Sequence, residues 1–374
     1  MKRIRILFCV NYMHMGGVEK SLIALLRALP RDRFEPHVAL ERGTGELMDE
    51  IPQDVPVHVL RGFERNYARV YHPLACGSMA DRASYLAAKL RGTLVPYYDR
   101  VLRHEEHLTE HFDIAVAYQG PNELLDWYVG EYINADRRAG WIHFDVERCY
   151  INRRTVRRVY PRLDRVFIVA ESSRDLFVKM FPEFGDRCRV FHNIVDPERV
   201  RSMAREYDVE RRPERAVLCT VGRVTGQKGP DVAVEVASRL RRRGVAFDWY
   251  FVGEGDMLER CRKSVCRLGL DDCMHFTGVR LNPFPYLRAA DVYVQPSRYE
   301  GYCIAVAEAR VFGMPIVCTQ FAGSEQVAGL SNAQIVAHDA DALADAVERA
   351  VGMPRIEREY VSECDFSLLT EMIE

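Results

Sequence analysis

Two glutamates, Glu300 and Glu308, stand on either side of a glycine in the run Ser297-Arg298-Tyr299-Glu300-Gly301-Tyr302-Cys303-Ile304-Ala305-Val306-Ala307-Glu308-Ala309. Glu300 falls in a loop after the strand-like run Val292–Gln295, and Glu308 falls inside the helix that follows. Carboxylates accept hydrogen bonds from vicinal hydroxyls. Gly301 lets a ligand approach the backbone, and the start of a helix offers free N–H groups. The plain alternative for Glu308 is an exposed helix residue. Its apolar neighbours Ile304, Ala305, Val306 and Ala307 speak against that, because an unpaired carboxylate in a buried helix is costly.

A second run, Gly222-Arg223-Val224-Thr225-Gly226-Gln227-Lys228-Gly229, lies between a strand and a helix. Arg223 supplies a planar fork and Lys228 a point charge, and together they suit a pyrophosphate. The spacing is not that of a P-loop. As surface residues, two solvated bases would need no function. A glycine pair, Gly16-Gly17, follows the first strand and opens a helix whose positive end suits an anion. Tight turns also use glycine for their own reasons, and the dinucleotide fingerprint is absent. His143, in Gly140-Trp141-Ile142-His143-Phe144-Asp145, sits where a strand runs out into a loop. A lone histidine is more often structural. Asp145 is placed either to orient it or to cap the next segment.

These segments need elements to hold them. Short apolar runs alternate with amphipathic stretches. Strands are expected at Ile4–Val10, Pro36–Leu40, Val55–Leu60, Phe112–Tyr118, Arg138–Ile142, Val166–Ala170 and Cys188–Phe191, with a helix over Val18–Leu29 and a largely helical Tyr67–His111. The second half repeats the scheme, with strands Ala216–Val221, Phe247–Val252, Met274–Thr277, Val292–Gln295 and Pro315–Cys318. Its helices are expected at Pro230–Arg243, Met257–Leu268, Pro285–Ala290, Ile304–Phe312 and Ala340–Val351. Such alternation argues for two α/β domains with parallel sheets, divided near Asn193–Pro197.

Composition agrees. A chain of 374 residues is long for one core and fits two domains. A hydrophobic fraction of 48% excludes disorder, and a net charge of -2 gives no pull toward nucleic acid. Bases outnumber acids in two stretches, 61–103 and 136–165. The eleven cysteines form no CxxC pair, and Cys9, Cys219 and Cys318 lie in strand-like runs, so buried free thiols are expected. No stretch approaches ~18 consecutive apolar residues, so any membrane contact is expected to be peripheral. Asp339-x-Asp341 precedes the last helix and is expected to cap it, not to hold a metal.

The pattern Glu300-x7-Glu308, together with Gly278–Glu308, Gly16-Gly17-Val18-Glu19-Lys20 and the Gly222-Arg223…Lys228-Gly229 loop, resembles the retaining glycosyltransferases of the GT-B fold, family 4, also called glycosyl transferases group 1. The likeness is closest to members that build bacterial surface polysaccharides, dense in the second half and looser over Glu46–Arg137. It implies two Rossmann-like domains facing across a cleft: 1–196 on the acceptor side, 197–355 binding the sugar nucleotide, and 356–374 returning to the first domain through a helix near Phe366–Met372.

The resemblance also implies roles. Arg223 and Lys228 bind the donor diphosphate, and the backbone at Gly16 and Gly17 closes on the same phosphates. Glu300 contacts the sugar hydroxyls with the N–H groups of Gly301, Tyr302 and Cys303. Glu308 holds the ribose, Val279 lies by the base within Thr277–Arg280, and His143 sits by the reacting carbon. No metal or other cofactor is implied. The implied partners are a UDP-sugar, favoured over a GDP-sugar on family frequency, and a saccharide or lipid-linked saccharide acceptor; the arginine clusters Arg61–Arg103 and Arg148–Arg165 either face an anionic membrane peripherally on its cytoplasmic side or are plain solvated helix faces. Tyr302-Cys303 departs from the smaller or proline-containing pairs of relatives, which leaves the sugar open. A soluble acceptor, a non-catalytic sugar-nucleotide scaffold, or an epimerase or phosphorylase of related fold are the alternatives. The scaffold fits less well because Arg223, Lys228, Glu300 and Glu308 are all present, and the epimerase and phosphorylase because related epimerases lack the Glu-x7-Glu context and phosphorylases need a lysine-bound pyridoxal phosphate and a longer chain.

Overall fold

The computed structural model describes residues 2–121, 123–149, 151–356, 360 and 364–374. Two compact units emerge: Met1–Ile194 with Glu363–Glu374, and Val195–Ser362.

The first unit holds a seven-stranded sheet made of β1 (Ile4–Val10), β2 (Phe34–Leu40), β3 (Val57–Val59), β4 (Phe112–Gly120), β5 (Ala135–Ile142), β6 (Arg165–Ile168) and β7 (Cys188–Val190). Its order is β3-β2-β1-β4-β5-β6-β7, and every pairing is parallel. The second unit holds β8 (Ala216–Val221), β9 (Phe247–Val252), β10 (Met274–Phe276), β11 (Val292–Gln295), β12 (Ile316–Thr319) and β13 (Ala333–Val336), in the order β10-β9-β8-β11-β12-β13, again all parallel. Helices cover both faces, so the central strands read as continuous apolar runs. Leu218, Val292, Val294 and Val317 are fully buried among the helix residues Val236, Leu240, Leu343 and Val347.

The order of each sheet reverses direction once, between β1 and β4 and between β8 and β11. Two loops that leave adjacent strands in opposite senses open a crevice at their carboxyl ends, where open α/β sheets bind ligands.

The expected helix over Tyr67–His111 resolves into shorter pieces: Arg61–Tyr71, Pro73–Cys76, Met79–Leu90 and Val95–Leu102. Pro73 and Pro96 each open a new helix, as proline at a first turn does, and helix stops at Leu102, short of His111. Helices Glu123–Tyr132, Arg153–Val159, Glu171–Met180 and Pro197–Met203 and the edge strand β13 lie in segments to which the sequence reading assigned no element. The short helix Arg153–Val159 starts on Asn152, whose side chain accepts from the N–H groups of Arg154 and Thr155. Asp339 caps the helix Ala340–Ala350 by accepting from the N–H groups of Asp341 and Ala342, as expected. Cys9, Cys219 and Cys318 are buried and free.

Of the expected return segment 356–374, residues 357–359 and 361–363 lie outside the described residues. Its helix is a single turn, Ser367–Thr370. Phe366 meets the rings of Phe34 and Phe191, and Arg137 Nε donates to the Met372 carbonyl at 2.9 Å. No helix among the described residues is long and apolar enough to cross a membrane.

Candidate functional site

In the second unit the loops after β8 and β11 carry Arg223, Lys228 and Glu300, so all three lie at the point where the sheet order reverses. Lys228 Nζ is 2.6 Å from Glu300 Oε1, and both side chains are largely shielded from solvent. Burial pushes the Lys228 ammonium down, but the neighbouring Glu300 carboxylate, helped by Cys303, outweighs it and leaves the group raised. Gln227 bridges the two loops. Its amide accepts from Arg223 at 3.2 Å and donates to the Tyr299 carbonyl at 3.2 Å and to Glu300 Oε2 at 3.5 Å. Arg298 pins the same junction with a bidentate pair to Asp231, at 2.9 and 2.8 Å.

The close approach of the loops has a local cause. Gly229 adopts φ 64°, ψ 40° and caps the helix Pro230–Arg242. A Cβ there would lie 2.0 Å from the Pro296 carbonyl oxygen, so no other residue fits beneath the β11 loop.

Glu300 is buried, and its Oε1 also accepts from Ser297 Oγ at 2.6 Å. Cys303 begins the helix Ile304–Arg310 at φ 62°; among the described residues no other non-glycine has positive φ. Such backbone conformations cost about 1–3 kcal/mol and gather at functional sites. Glu308 is buried inside that helix, between Ala307 and Ala309, in accord with its apolar surroundings in sequence. Gln326 holds the Tyr302 carbonyl, and its amide also donates to Gly323 O at 3.1 Å. Val279 is half exposed in the loop after β10, beside an antiparallel bridge between Gly253 and Gly278.

Gly16, Gly17 and His143 belong to the first unit. Gly16 caps the helix Gly17–Ala28, but that positive end already holds a carboxylate. Glu19 Oε2 lies 2.2 Å from where a Gly16 Cβ would stand, and Gln119 Nε2 donates to Glu19 Oε1 at 2.8 Å. His143 follows β5, buried beside Tyr118 with ring centroids 4.5 Å apart and with its ring plane nearly parallel to that of Trp141. Among the described residues neither ring nitrogen meets hydrogen-bond geometry with a partner. Burial pushes the imidazole down to about 3, against weaker upward pulls from Asn193 and the Tyr118 backbone, so it is neutral near pH 7. Asp145 accepts from the N–H groups of Glu147 and Arg148 at 2.9 and 3.3 Å, so it caps the following turn.

Gln227, Gln295 and Asp231 are participants that the sequence reading did not single out. Gln295 carried the one local signal, an amide inside the apolar run Val292–Gln295. Among the described residues one group, His37, His58 and Glu110 in the first unit, could hold a metal ion.

Residues 215–352 match the family model of glycosyl transferases group 1. Over 137 residues the chain is 28% identical to the amylovoran biosynthesis glycosyltransferase AmsK of Erwinia amylovora, an alignment covering 34% of this chain and 33% of that protein. It is 28% identical over 253 residues to a GDP-mannose-dependent alpha-(1-6)-phosphatidylinositol monomannoside mannosyltransferase of Mycobacterium tuberculosis, covering 60% of this chain and 62% of that one. The chain thus spans less than two thirds of the length of either relative. Among solved structures, Anabaena HepE in complex with UDP and glucose superposes with a TM-score of 0.65 at 15% identity, covering 94% of this chain and 90% of that one. Two parallel-sheet α/β domains of the GT-B glycosyltransferase fold, with a glycosyl transferases group 1 match over the second, are what this chain carries.

Proposed function

We propose that the protein is a retaining, metal-independent glycosyltransferase of family 4 that moves a hexosyl unit from a UDP-sugar to a hydroxyl of a lipid-linked saccharide in surface-polysaccharide or glycolipid synthesis. The observation that carries the reading is the Lys228–Glu300 pair, with Arg223 beside it, at the crevice of the second sheet. Breaking the anomeric bond leaves a nucleoside diphosphate on which negative charge grows. Arg223 and Lys228 are fixed cations that lower the barrier to its departure. Lys228 binds a phosphate oxygen beside its carboxylate partner, and Glu300 accepts from the sugar hydroxyls through Oε2. Glu308 binds the ribose, Val279 borders the base, and the N–H groups of Gly301, Tyr302 and Cys303 contact the sugar. The acceptor hydroxyl attacks the face that the diphosphate leaves, and a phosphate oxygen takes its proton. No cofactor takes part.

The lipid-linked acceptor has its own support. On the helix Met79–Leu90 the residues Met79, Ala83, Leu86 and Leu90 form one exposed stripe, with Met79 80% and Leu90 88% exposed. Arg82, Lys89 and Arg91 flank it, and the acid on that helix, Asp81, is buried. An apolar stripe edged by bases suits an anionic membrane surface.

A thermal-shift screen against UDP, GDP, ADP and their sugars tests the reading, since a ligand that binds only the folded state raises the melting temperature. A rise with UDP compounds that disappears in Arg223→Ala supports it. A response to GDP alone reassigns the base, and no response to any nucleotide turns the reading toward a scaffold.

A further inference from the structure

We propose that Tyr293, Gln295 and Ser297 form a directed hydrogen-bond chain that positions Glu300 for the transferred sugar; the proposal rests on the donor-site reading above. Strand β11 lies at the centre of its sheet, between β8 and β12. Helices cover such a sheet on both faces, and apolar side chains are the rule there. Yet Tyr293 and Gln295, two apart on one face of this strand, and Ser297, two residues past its end, are all fully buried. Polar groups in such a place are costly unless each finds a partner.

Here each does. Tyr293 OH donates to Gln295 Oε1, Gln295 Nε2 donates to Ser297 Oγ at 2.8 Å, and Ser297 Oγ donates to Glu300 Oε1 at 2.6 Å. The directions follow from chemistry. A carboxylate only accepts, so the Ser297 hydrogen must point at Glu300. The Ser297 oxygen is then left to accept, which requires the NH2 of Gln295 on that side and its carbonyl oxygen toward Tyr293. All three dipoles therefore point the same way and reinforce one another. The Ser297 main chain is held as well, because Thr319 of the neighbouring β12 donates to its carbonyl.

The consequence is a division of labour between the two oxygens of Glu300. Oε1 is occupied by Ser297 and Lys228. Among the described residues Oε2 receives only the long contact from Gln227, 3.5 Å. Oε2 is the oxygen with acceptor capacity to spare, and the chain fixes its direction. Tyr293, Gln295 and Ser297 are positioning residues: they act on the sugar through Glu300 and do not touch it.

The test compares affinities for UDP and for a UDP-sugar, by calorimetry, in the wild-type protein, Ser297→Ala and Tyr293→Phe. We expect both variants to bind UDP as the wild type does. We expect Ser297→Ala to bind the UDP-sugar about tenfold more weakly, and Tyr293→Phe to do so by about threefold. A residue needed only for the fold would weaken both ligands alike. Equal UDP-sugar binding by the wild type and the variants, with UDP binding intact, overturns the chain. Should Ser297→Ala fail to fold, Tyr293→Phe, which removes one oxygen at the far end, decides alone. Absence of UDP binding in the wild type is a different result, because it overturns the donor reading and the chain's role with it.

Discussion

Lys228 Nζ and Glu300 Oε1 lie 2.6 Å apart, brought together from loops that leave neighbouring strands. On the donor-site reading proposed above, a diphosphate at Lys228 would compete with Glu300 for this ammonium.

Glu300→Gln should separate these roles. Removing one partner of a shielded pair leaves the other charge uncompensated, which costs about 3 kcal/mol of stability. The same change removes the competitor for Lys228. UDP should then bind more tightly to the variant than to the wild type while sugar transfer is lost. Calorimetric titration of both proteins with UDP checks this, and weaker UDP binding by the variant would contradict the competition.

Gly229→Ala addresses the junction of the two loops. The positive φ alone would cost about 1 kcal/mol, a penalty that asparagine partly avoids. The collision with the Pro296 carbonyl, 2.0 Å from the new Cβ, spares neither residue. Gly229→Asn should thus be as damaging as Gly229→Ala, with a loss of about 3 kcal/mol in urea denaturation and of UDP binding. Rescue by asparagine would show that backbone conformation, not contact, makes glycine necessary.

Glu41 makes stability depend on pH. It follows β2, is buried, and its Oε2 accepts from the Tyr71 hydroxyl at 2.5 Å. Burial pushes its carboxyl up to about 7 from 4.5, against the smaller opposing effect of Tyr71. An acid raised in the folded state stays protonated there after it has ionised in the unfolded chain. Its contribution is full below pH 4.5 and is lost as pH rises through about 7. The loss is on the order of 3 kcal/mol. Glu41→Gln should flatten this part of the curve and raise the melting temperature at about pH 8 more than at about pH 5. An equal effect at both would mean that the group ionises normally.

The stripe on Met79–Leu90 gives a prediction about membranes. Leu86→Glu and Leu90→Glu alter exposed side chains, so the melting temperature should stay within a degree or so. Sedimentation with vesicles rich in anionic lipid should fall about tenfold in affinity for the double variant. Salt should weaken binding of the wild type but not abolish it, because only the basic part is screened. Binding that is unchanged in the double variant would place the contact elsewhere.

Much of this protein was legible in local patterns. Apolar runs alternating with amphipathic helices announced two parallel α/β units, and the core strands β1, β4, β8, β9, β11 and β12 fell within a few residues of their expected places. Asp339 before Ala340 read correctly as a cap, because a cap is a bond between near neighbours. Glu308 read correctly as buried, because its helix neighbours are apolar. Short elements escaped: Arg153–Val159 is rich in arginine and is held by its asparagine cap, and β13 is an edge strand with little apolar patterning.

Other features belong to the tertiary structure alone. Strand order is a matter of which βαβ crossover goes to which side, and no residue spacing along the chain records it. That order sets β8 beside β11 and so pairs Lys228 with Glu300 and brings Gly229 under Pro296. The sequence by itself determined the types of the groups and the elements that carry them, because helices, strands and caps are short-range. Which groups touch was decided by the packing of distant segments, where burial makes an unmatched polar atom too costly to leave alone.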